Sequence, residues 1–538
     1  MRLAVLCALP LSIAAFAAPA ASQTPLGYEV AKLVTSDGAP QDLAGWAVAA
    51  SGNIAVVGVP NDDIGANTDQ GSAWVFRWNG SAWVEQQKLV DDEGQAEDGF
   101  GTAVAVAGDV IVVGAPGDTI GASLHQGSAH VFRSQGGVWV KEQRLVAGDG
   151  QPIDLFGSAV AVDGDTAVVG APRDDIGTKS FQGSAYVFRW DGSTWTEEQK
   201  LVASDGGTSD YFGDALDVSG NVVVVGLYRD DIGSVSGAGS AYVFRRHGST
   251  WTQEQKLVAN DAQDSDFFGY SVATSGDLIG AGAYNHDNPG TAEGAAYLFR
   301  WNGTAWLGEQ KLVPSDGGHF DEFGSALDMS GDVVVVGARY SSLVGGNQGL
   351  AYVFRWIGSA WVEEQELVPS DGVGGGYAFA FSVAVSGDLA VVGAPFAGIG
   401  ASDQQGAAFA FDLLGGAWTW LGQALAGTGG FPVLSAFGDL SPGSAVSFAL
   451  TQARPDAAAY LVLGLSDLSA PFKGGVLVPA PDVVLAGLAT DGDGALALAD
   501  TWPAGVPSGF TFRAQTWIAD PVGLAGFAAS NAVAGTAP

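Results

Sequence analysis

Cysteine is almost missing from this chain. The single thiol, Cys7, lies in the first twenty residues, so the rest has no disulfide framework, no thiol nucleophile and no cysteine-ligated zinc. Basic side chains are scarce as well. Lys and Arg total 22 against 58 Asp and Glu, a formal charge of −36, and a field of that sign repels phosphate backbones, which excludes nucleic acid as a partner. The five histidines (His125, His130, His247, His286 and His319) are scattered, and no HExxH, GxSxG or phosphate-loop motif occurs. With no catalytic motif, the chain reads as a non-enzyme. Carboxylate pairs of the kind a glycosidase uses are too numerous for sequence to choose among. Beyond the N-terminus no apolar run approaches the ~20 residues a membrane-spanning helix needs.

The N-terminal run MRLAVLCALPLSIAAFAAPA places Arg2 ahead of an apolar core and ends on Ala18, Pro19 and Ala20. Residues 1–20 therefore read as a signal peptide with a small-x-small cleavage site. The mature protein is expected to be exported, secreted or held at a cell surface.

Repetition organises what remains. The phrase KLV, or a close variant, stands at Lys32, Lys88, Arg144, Lys200, Lys256, Lys311 and Glu366, a period of 56 residues that shortens to 55 in the last two intervals. A fixed period of this size marks a supersecondary unit stacked on its copies. In the third unit, alternation and β-branched runs between Gly and Asp turns predict four strands, about Gly157–Val162, Thr166–Ala171, Gly183–Trp190 and Thr194–Val202. Four antiparallel strands repeated around a ring are the blades of a β-propeller. The turns after strands one and three are short, such as Gly164–Asp165 and Asp191–Gly192, and suit tight hairpins. The loop after strand two and the crossover to the next blade are long, and they share the opposite face. YEVAKLV at Tyr28–Val34 repeats the fourth-strand phrase ahead of the first complete unit, so it is expected to complete the last blade.

The unit resembles the FG-GAP repeat, the blade of the integrin α-subunit propeller and of many bacterial secreted proteins. Phe-Gly stands at Phe100, Phe156, Phe212, Phe268 and Phe323, each followed by glycine; units one and seven depart with Gly45-Trp46 and Phe379-Ala380. Gly-Ala-Pro stands at Gly114, Gly170 and Gly393, whereas units four, five and six read GLY, GAY and GAR. The resemblance implies a seven-bladed ring with a binding or adhesion role. The DxDxDG calcium loops of integrins would fall between strands one and two, where this chain has only SGD, SGN or DGD, so that site is not carried over.

Acids recur in register on the long-loop face. Asp37, Asp149, Asp205 and Asp261 open crossovers; Asp42, Asp98, Asp154, Asp210, Asp266 and Asp321 close them. The loops after strand two add Asp62 with Asp63, Asp118, Asp174 with Asp175, and Asp230 with Asp231. These seven are the candidate ligand-binding residues. All but Asp118 are also the candidate ligands for Ca²⁺, the only cofactor the sequence suggests, because Ca²⁺ takes six to eight oxygens. The plainer reading is that each Asp caps its own turn. Trp pairs flanking the turn after strand three, such as Trp190 and Trp195, are expected to fix hairpin register. Arg133, Arg245, Arg300 and their counterparts are expected to pair with the Glu-rich fourth strand.

The expectation is an all-β chain: leader 1–20, propeller 28–421, and a β-sandwich-like domain 422–538 in which Ala, Leu, Gly and Pro dominate. The partner would be an extracellular protein or glycan held on the long-loop face. The alternatives are an exported glycan-acting enzyme, favoured if repeat-breaking units cluster with buried acids, and a structural surface coat, favoured by a featureless rim.

Overall fold

The computed structural model describes residues 28–538 apart from 80–81, 289–290, 342–347, 370–377, 401, 414–417, 423–432, 438–444, 452, 466, 473–474, 480–482, 491–495, 502–505, 507–509, 522–526 and 537–538. The expected leader lies outside the described residues.

Seven four-stranded antiparallel sheets follow one another along the chain, in the order of sequence within six of them. In the third, Val160–Asp163, Thr166–Ala171, Ser184–Trp190 and Trp195–Leu201 pair in succession, close to the boundaries read from the sequence. The second strand is buried along its whole length, as its unbroken apolar run requires. The seventh sheet takes its outermost strand from the other end of the chain: Tyr28–Leu33 is hydrogen-bonded beside Ala407–Asp412, the closure that YEVAKLV predicts. Each innermost strand packs against the next, and the seventh, Ser382–Ser386, returns to the first, Val48–Ser51. Turn contacts follow most of the same circuit. Gly108 N donates to Ser51 Oγ at 3.1 Å, Gly387 N to Ser330 Oγ at 3.0 Å, and Gly52 N closes it on Ser386 Oγ at 2.9 Å.

The repeat motifs serve contacts between blades. Phe100, Phe156, Phe212, Phe268, Phe323 and Phe379 are 0% exposed, each wedged where two blades meet. Phe156, for instance, meets Tyr186 and Phe188 edge-on at 5.5 and 6.0 Å while bridging to Gly127 of the preceding blade. The two glycine motifs interlock. A Cβ on Gly114 would stand 2.0 Å from Gly157 O, and Gly157 itself holds a φ of 99°, so backbone passes backbone where no side chain fits. Fourth strands are stitched side by side through glutamine: Gln199 Nε2 donates to Trp251 O at 2.7 Å, and Trp251 N donates back to Gln199 Oε1 at 2.8 Å. These reciprocal bonds satisfy edge strands that would otherwise be open.

The expected side-chain pairs also form. Trp78–Trp83, Trp190–Trp195 and Trp301–Trp306 sit opposite one another across their hairpins with centroids 5.5–6.0 Å apart. Arg133 and Arg245 each reach the fourth-strand glutamate at 2.8 Å; Arg189 departs and bonds Thr166 Oγ1.

Contacts divide the chain into two units, one spanning Glu29–Val353 with Leu367–Phe411, the other including Phe354–Glu366 and Asp412–Pro538. In the C-terminal region, a five-stranded sheet runs in the order Trp418–Gly422, Phe527–Thr536, Thr511–Ala519, Ala458–Gly464 and Val483–Ala489. A three-stranded sheet holds Val433–Phe437, Ala445–Thr451 and Leu496–Thr501. Leu434 from the second shares a buried cluster with Leu461, Leu463 and Phe512 from the first, the face-to-face arrangement expected of a sandwich. Trp418–Gly422 already pairs with the last strand, so this sheet begins ahead of the expected boundary at 422. The tryptophans there follow the strand pattern of either neighbour, and only pairing assigns them.

Candidate functional site

The first four blades each build a similar small polar box on the long-loop face. In the third, Asp174 is 4% exposed. It accepts hydrogen bonds from Ser184 Oγ at 2.6 Å and Tyr186 Oη at 3.1 Å. Lys200, the lysine of the KLV phrase, puts Nζ 2.6 Å from Asp174 and 2.7 Å from Asp149, which opens the crossover that enters this blade. The fourth blade repeats this with Asp230, Ser240, Lys256 and Asp205, and the first with Asp62, Ser72, Lys88 and Asp37. In the second, Arg144 meets Asp118. The carboxylates thus share an ammonium or guanidinium from their own blade, in the place a bridging cation would take. Burial alone pushes Lys200 down, and its bonds to Asp149 and Asp174 outweigh this and raise it above the usual lysine range.

The structure separates the members of each predicted acid pair. Asp62, Asp118, Asp174 and Asp230 are buried. Asp63, Asp175 and Asp231 are exposed and accept backbone N–H groups of their own loops, from Asp69 at 3.0 Å, Phe181 at 2.9 Å and Gly237 at 2.7 Å. The crossover-closing acids are turn caps too: Asp42, Asp98 and Asp154 each accept an N–H from three residues upstream at 2.6 Å. Burial pushes all three up to about 6, against the pull of that N–H. Each of these buried or capping aspartates has a role inside its own turn or blade.

Among the described residues one group has metal-ligand proximity: Asp91, Asp118 and His130, all buried. Lys141 Nζ already lies 2.5 Å from Asp91, and Arg144 is on Asp118. Burial drives the His130 imidazole down to about 3, which keeps it neutral. Two resident cations answer the two carboxylates, so the cluster balances without an ion.

Sequence reasoning missed a second feature of this face, an aromatic collar. The third residue of the Gly-Ala-Pro element is Tyr228 in unit four, Tyr284 in unit five and Arg339 in unit six, and the structure brings these departures together. Tyr228 meets Tyr270 at 5.6 Å, Tyr270 meets Tyr284 at 4.5 Å, and the Arg339 guanidinium lies over both Tyr270 and Tyr284 at 5.8 and 5.6 Å. Tyr211 stacks on Tyr228 at 6.0 Å, and Phe267 on Tyr284 at 5.5 Å. On the far side of Arg339 the run continues through Phe381 to Trp46. Unlike the 0%-exposed Phe-Gly phenylalanines, these tyrosines are partly open to solvent. Tyr211 and Phe267 also hold φ values of 59° and 58°, a region that bulky residues rarely adopt. The available signal was an aromatic just before Phe-Gly in units four and five alone, together with the loss of proline in units four to six.

Charge is distributed unevenly around the collar. Arg229 lies across the Tyr211 and Tyr228 rings at 5.1 and 5.4 Å. Neither it nor Arg173 forms an ion pair among the described residues, and both are exposed. Asp214 feels both. Solvent reaches its side chain, yet the surrounding wall pushes the carboxyl up to about 6 against the pull of Arg173 and Arg229. Glu322 is held by Arg339 Nε at 2.6 Å.

The ring also encloses a central channel of about 460 Å³ lined by all seven innermost strands. Asp217 and Asp328 in its wall reach across to the next blade, accepting from Thr274 N at 2.7 Å and Val385 N at 2.6 Å. Burial, reinforced by Asp328, pushes Asp217 up to about 8; burial alone raises Asp328 to about 6.

Comparison with protein families matches the FG-GAP repeat seven times, at residues 28–76, 83–132, 139–188, 195–244, 251–299, 306–354 and 361–411. No curated protein matches the chain. The matched segments cover more than half of the sequence, and each runs from the outermost strand of one sheet through the crossover to the first three strands of the next: the chain belongs to the FG-GAP repeat family.

Proposed function

We propose that this protein is an exported binding or adhesion module that takes an extracellular protein or glycan on the long-loop face of its propeller. The observation that carries the reading is the collar. The units that depart from the repeat do so at positions that converge on one patch, on a face where the buried and turn-capping aspartates named above are engaged within the fold. Loops placed by a rigid scaffold are where binding residues gather. The opposite face offers only two-residue turns, and a collar of this kind argues against a coat protein with a featureless rim.

One observation favours an exported glycan-acting enzyme. Asp214, raised to about 6 within an aromatic surround, has the protonation behaviour of a general acid. Hydrolysis by the usual route needs a second carboxylate, and Glu322 in the collar is engaged by Arg339. An assay for new reducing ends on a polysaccharide panel separates the two readings.

Binding is tested by probing immobilised wild-type protein with glycans and matrix proteins, beside Tyr228→Ala/Tyr284→Ala on the long-loop face and Asp191→Ala/Asn302→Ala at the short turns. The reading expects a ligand whose binding is lost only in the first variant. Loss confined to the short-turn variant overturns it.

A further inference from the structure

We propose that the collar binds a carboxylate-bearing glycan, with Tyr228, Tyr270 and Tyr284 as stacking surfaces and Arg229 and Arg173 as the carboxylate receptors. This rests on the long-loop face being the binding face, and it names the class of ligand.

Three features lead to a sugar acid. The first is shape and surface. Tyrosine offers a flat apolar face with a hydroxyl at its rim, so one side chain can take the C–H face of a pyranose and bond to its hydroxyls. Several such rings, set at angles of 63° and 83° to one another in the Tyr270–Tyr284 and Tyr228–Tyr270 pairs, give facets for successive residues of a chain. The second is charge. In a chain of formal charge −36, most anionic ligands would be turned away, and several arginines elsewhere in the blades are tied to glutamates of the fourth strand, as at Arg133 and Arg245. Arg173 and Arg229 differ: both are exposed, neither forms an ion pair among the described residues, and Asp214 is a carboxylate that feels both. The third is preorganisation. Arg229 is laid across two tyrosine rings, so its planar fork loses little freedom when it meets a carboxylate, which it matches in a bidentate manner. A flat protein surface would satisfy the charge without needing stacked rings, and a neutral sugar would satisfy the rings without needing two exposed arginines. A uronate uses both.

The proposal requires the aromatic facets to be more than packing. The five Phe-Gly phenylalanines and their counterpart Phe379 show what packing demands here: full burial in every case. The collar tyrosines occur in adjoining units only and keep a share of solvent.

The test is calorimetric titration of the full mature protein with three uronate probes (tetragalacturonate, tetramannuronate and a hyaluronan hexasaccharide) and with neutral β-1,4-galactotetraose as control. The expected result is binding of at least one uronate and not of the neutral sugar, weakened tenfold or more by Arg229→Gln and again by 500 mM NaCl. Arg229 is exposed, so this variant keeps the fold, and an unchanged melting curve verifies it. Equal binding of galactotetraose, insensitive to Arg229→Gln, overturns the carboxylate inference while leaving the face assignment intact. Failure of all four sugars, alongside a protein ligand lost in Tyr228→Ala/Tyr284→Ala, overturns the glycan inference and again spares the face. Uronate binding unaffected by either variant overturns both.

Discussion

Replacing Lys200 with methionine probes the internal ion bridge most sharply. Its ammonium holds Asp149, whose side chain is 58% exposed, and Asp174, whose side chain is 5% exposed. Methionine keeps the aliphatic stem and leaves Asp174 buried with only the Ser184 and Tyr186 hydroxyls as donors. Breaking a buried pair by removing one partner costs ~3–5 kcal/mol. The low end, about 3 kcal/mol, applies because Lys200 itself is 24% exposed and water can enter. With an unfolding entropy of ~2.1 cal/mol/K per residue over a ring of roughly 390 residues, that cost lowers the melting temperature by about 4 °C. Asp149→Asn removes only the solvated partner and costs under ~1 kcal/mol, about 1 °C. Lys200→Met with Asp174→Asn removes both buried charges and recovers more than half of the loss. Calorimetric melts of the four proteins at one ionic strength provide the assay. The reasoning is refuted if Lys200→Met melts within 1 °C of wild type, or if Asp149→Asn is as damaging.

Deleting residues 28–34 strips blade seven of its outermost strand and opens the ring between the seventh and first blades, so the melting temperature falls by more than it does for Lys200→Met; an unchanged melt rejects the closure. Asp217 has its folded-state pKa raised to about 8 from an ordinary value near 4. The native state therefore binds its proton more tightly, and stability from this group is present below pH ~4 and lost as pH rises to 8. Asp217→Asn should flatten the decline in melting temperature between pH 5 and pH 8, and an unaltered slope counts against a buried carboxyl there. Because lysine and arginine already bridge the buried aspartates, melts in millimolar Ca²⁺ and in chelator at matched ionic strength should superimpose; a rise of several degrees in Ca²⁺ would show that the exposed members Asp63, Asp175 and Asp231 hold the ion.

Sequence carried the architecture far because the repeat multiplies every weak signal sevenfold. Strand positions, the short turns, the tryptophan pairs and the closing strand all follow from one unit read at its phase. Adjacent acids defeated the same reading. In Asp174-Asp175 the two carboxylates are chemically alike, and only the backbone decides that one turns inward to Lys200 while the other caps the loop. A partial signal was present: unit six has lost both the aspartate and the lysine, with Ser341 and Glu366 in their places, although units five and seven keep Lys311 and Lys32 without the aspartate. The glutamine of the EQKLV phrase is equally periodic, yet its partner lies on the neighbouring blade, beyond the reach of a reading confined to one unit. The collar was hidden for a related reason. Tyr228, Tyr284 and Arg339 read as lapses from Gly-Ala-Pro, and the ring geometry is what places successive lapses side by side. The sandwich strands Ala445–Thr451 and Ala458–Gly464 were visible as apolar runs, whereas their sheet order depends on pairings far apart in sequence.

Hydroxyl-radical footprinting of the mature protein, free and saturated with its tightest ligand from the glycan and matrix-protein panel, tests the central claim most directly. Tyrosine and phenylalanine oxidise readily, so the collar reports on itself. The account predicts protection at Tyr211, Tyr228, Phe267, Tyr270 and Tyr284, with no change at the exposed outer-strand residues Val84, Val138 and Leu307. Protection of those outer strands or of the Trp-flanked short turns, with the collar tyrosines still oxidised at the free rate, contradicts it.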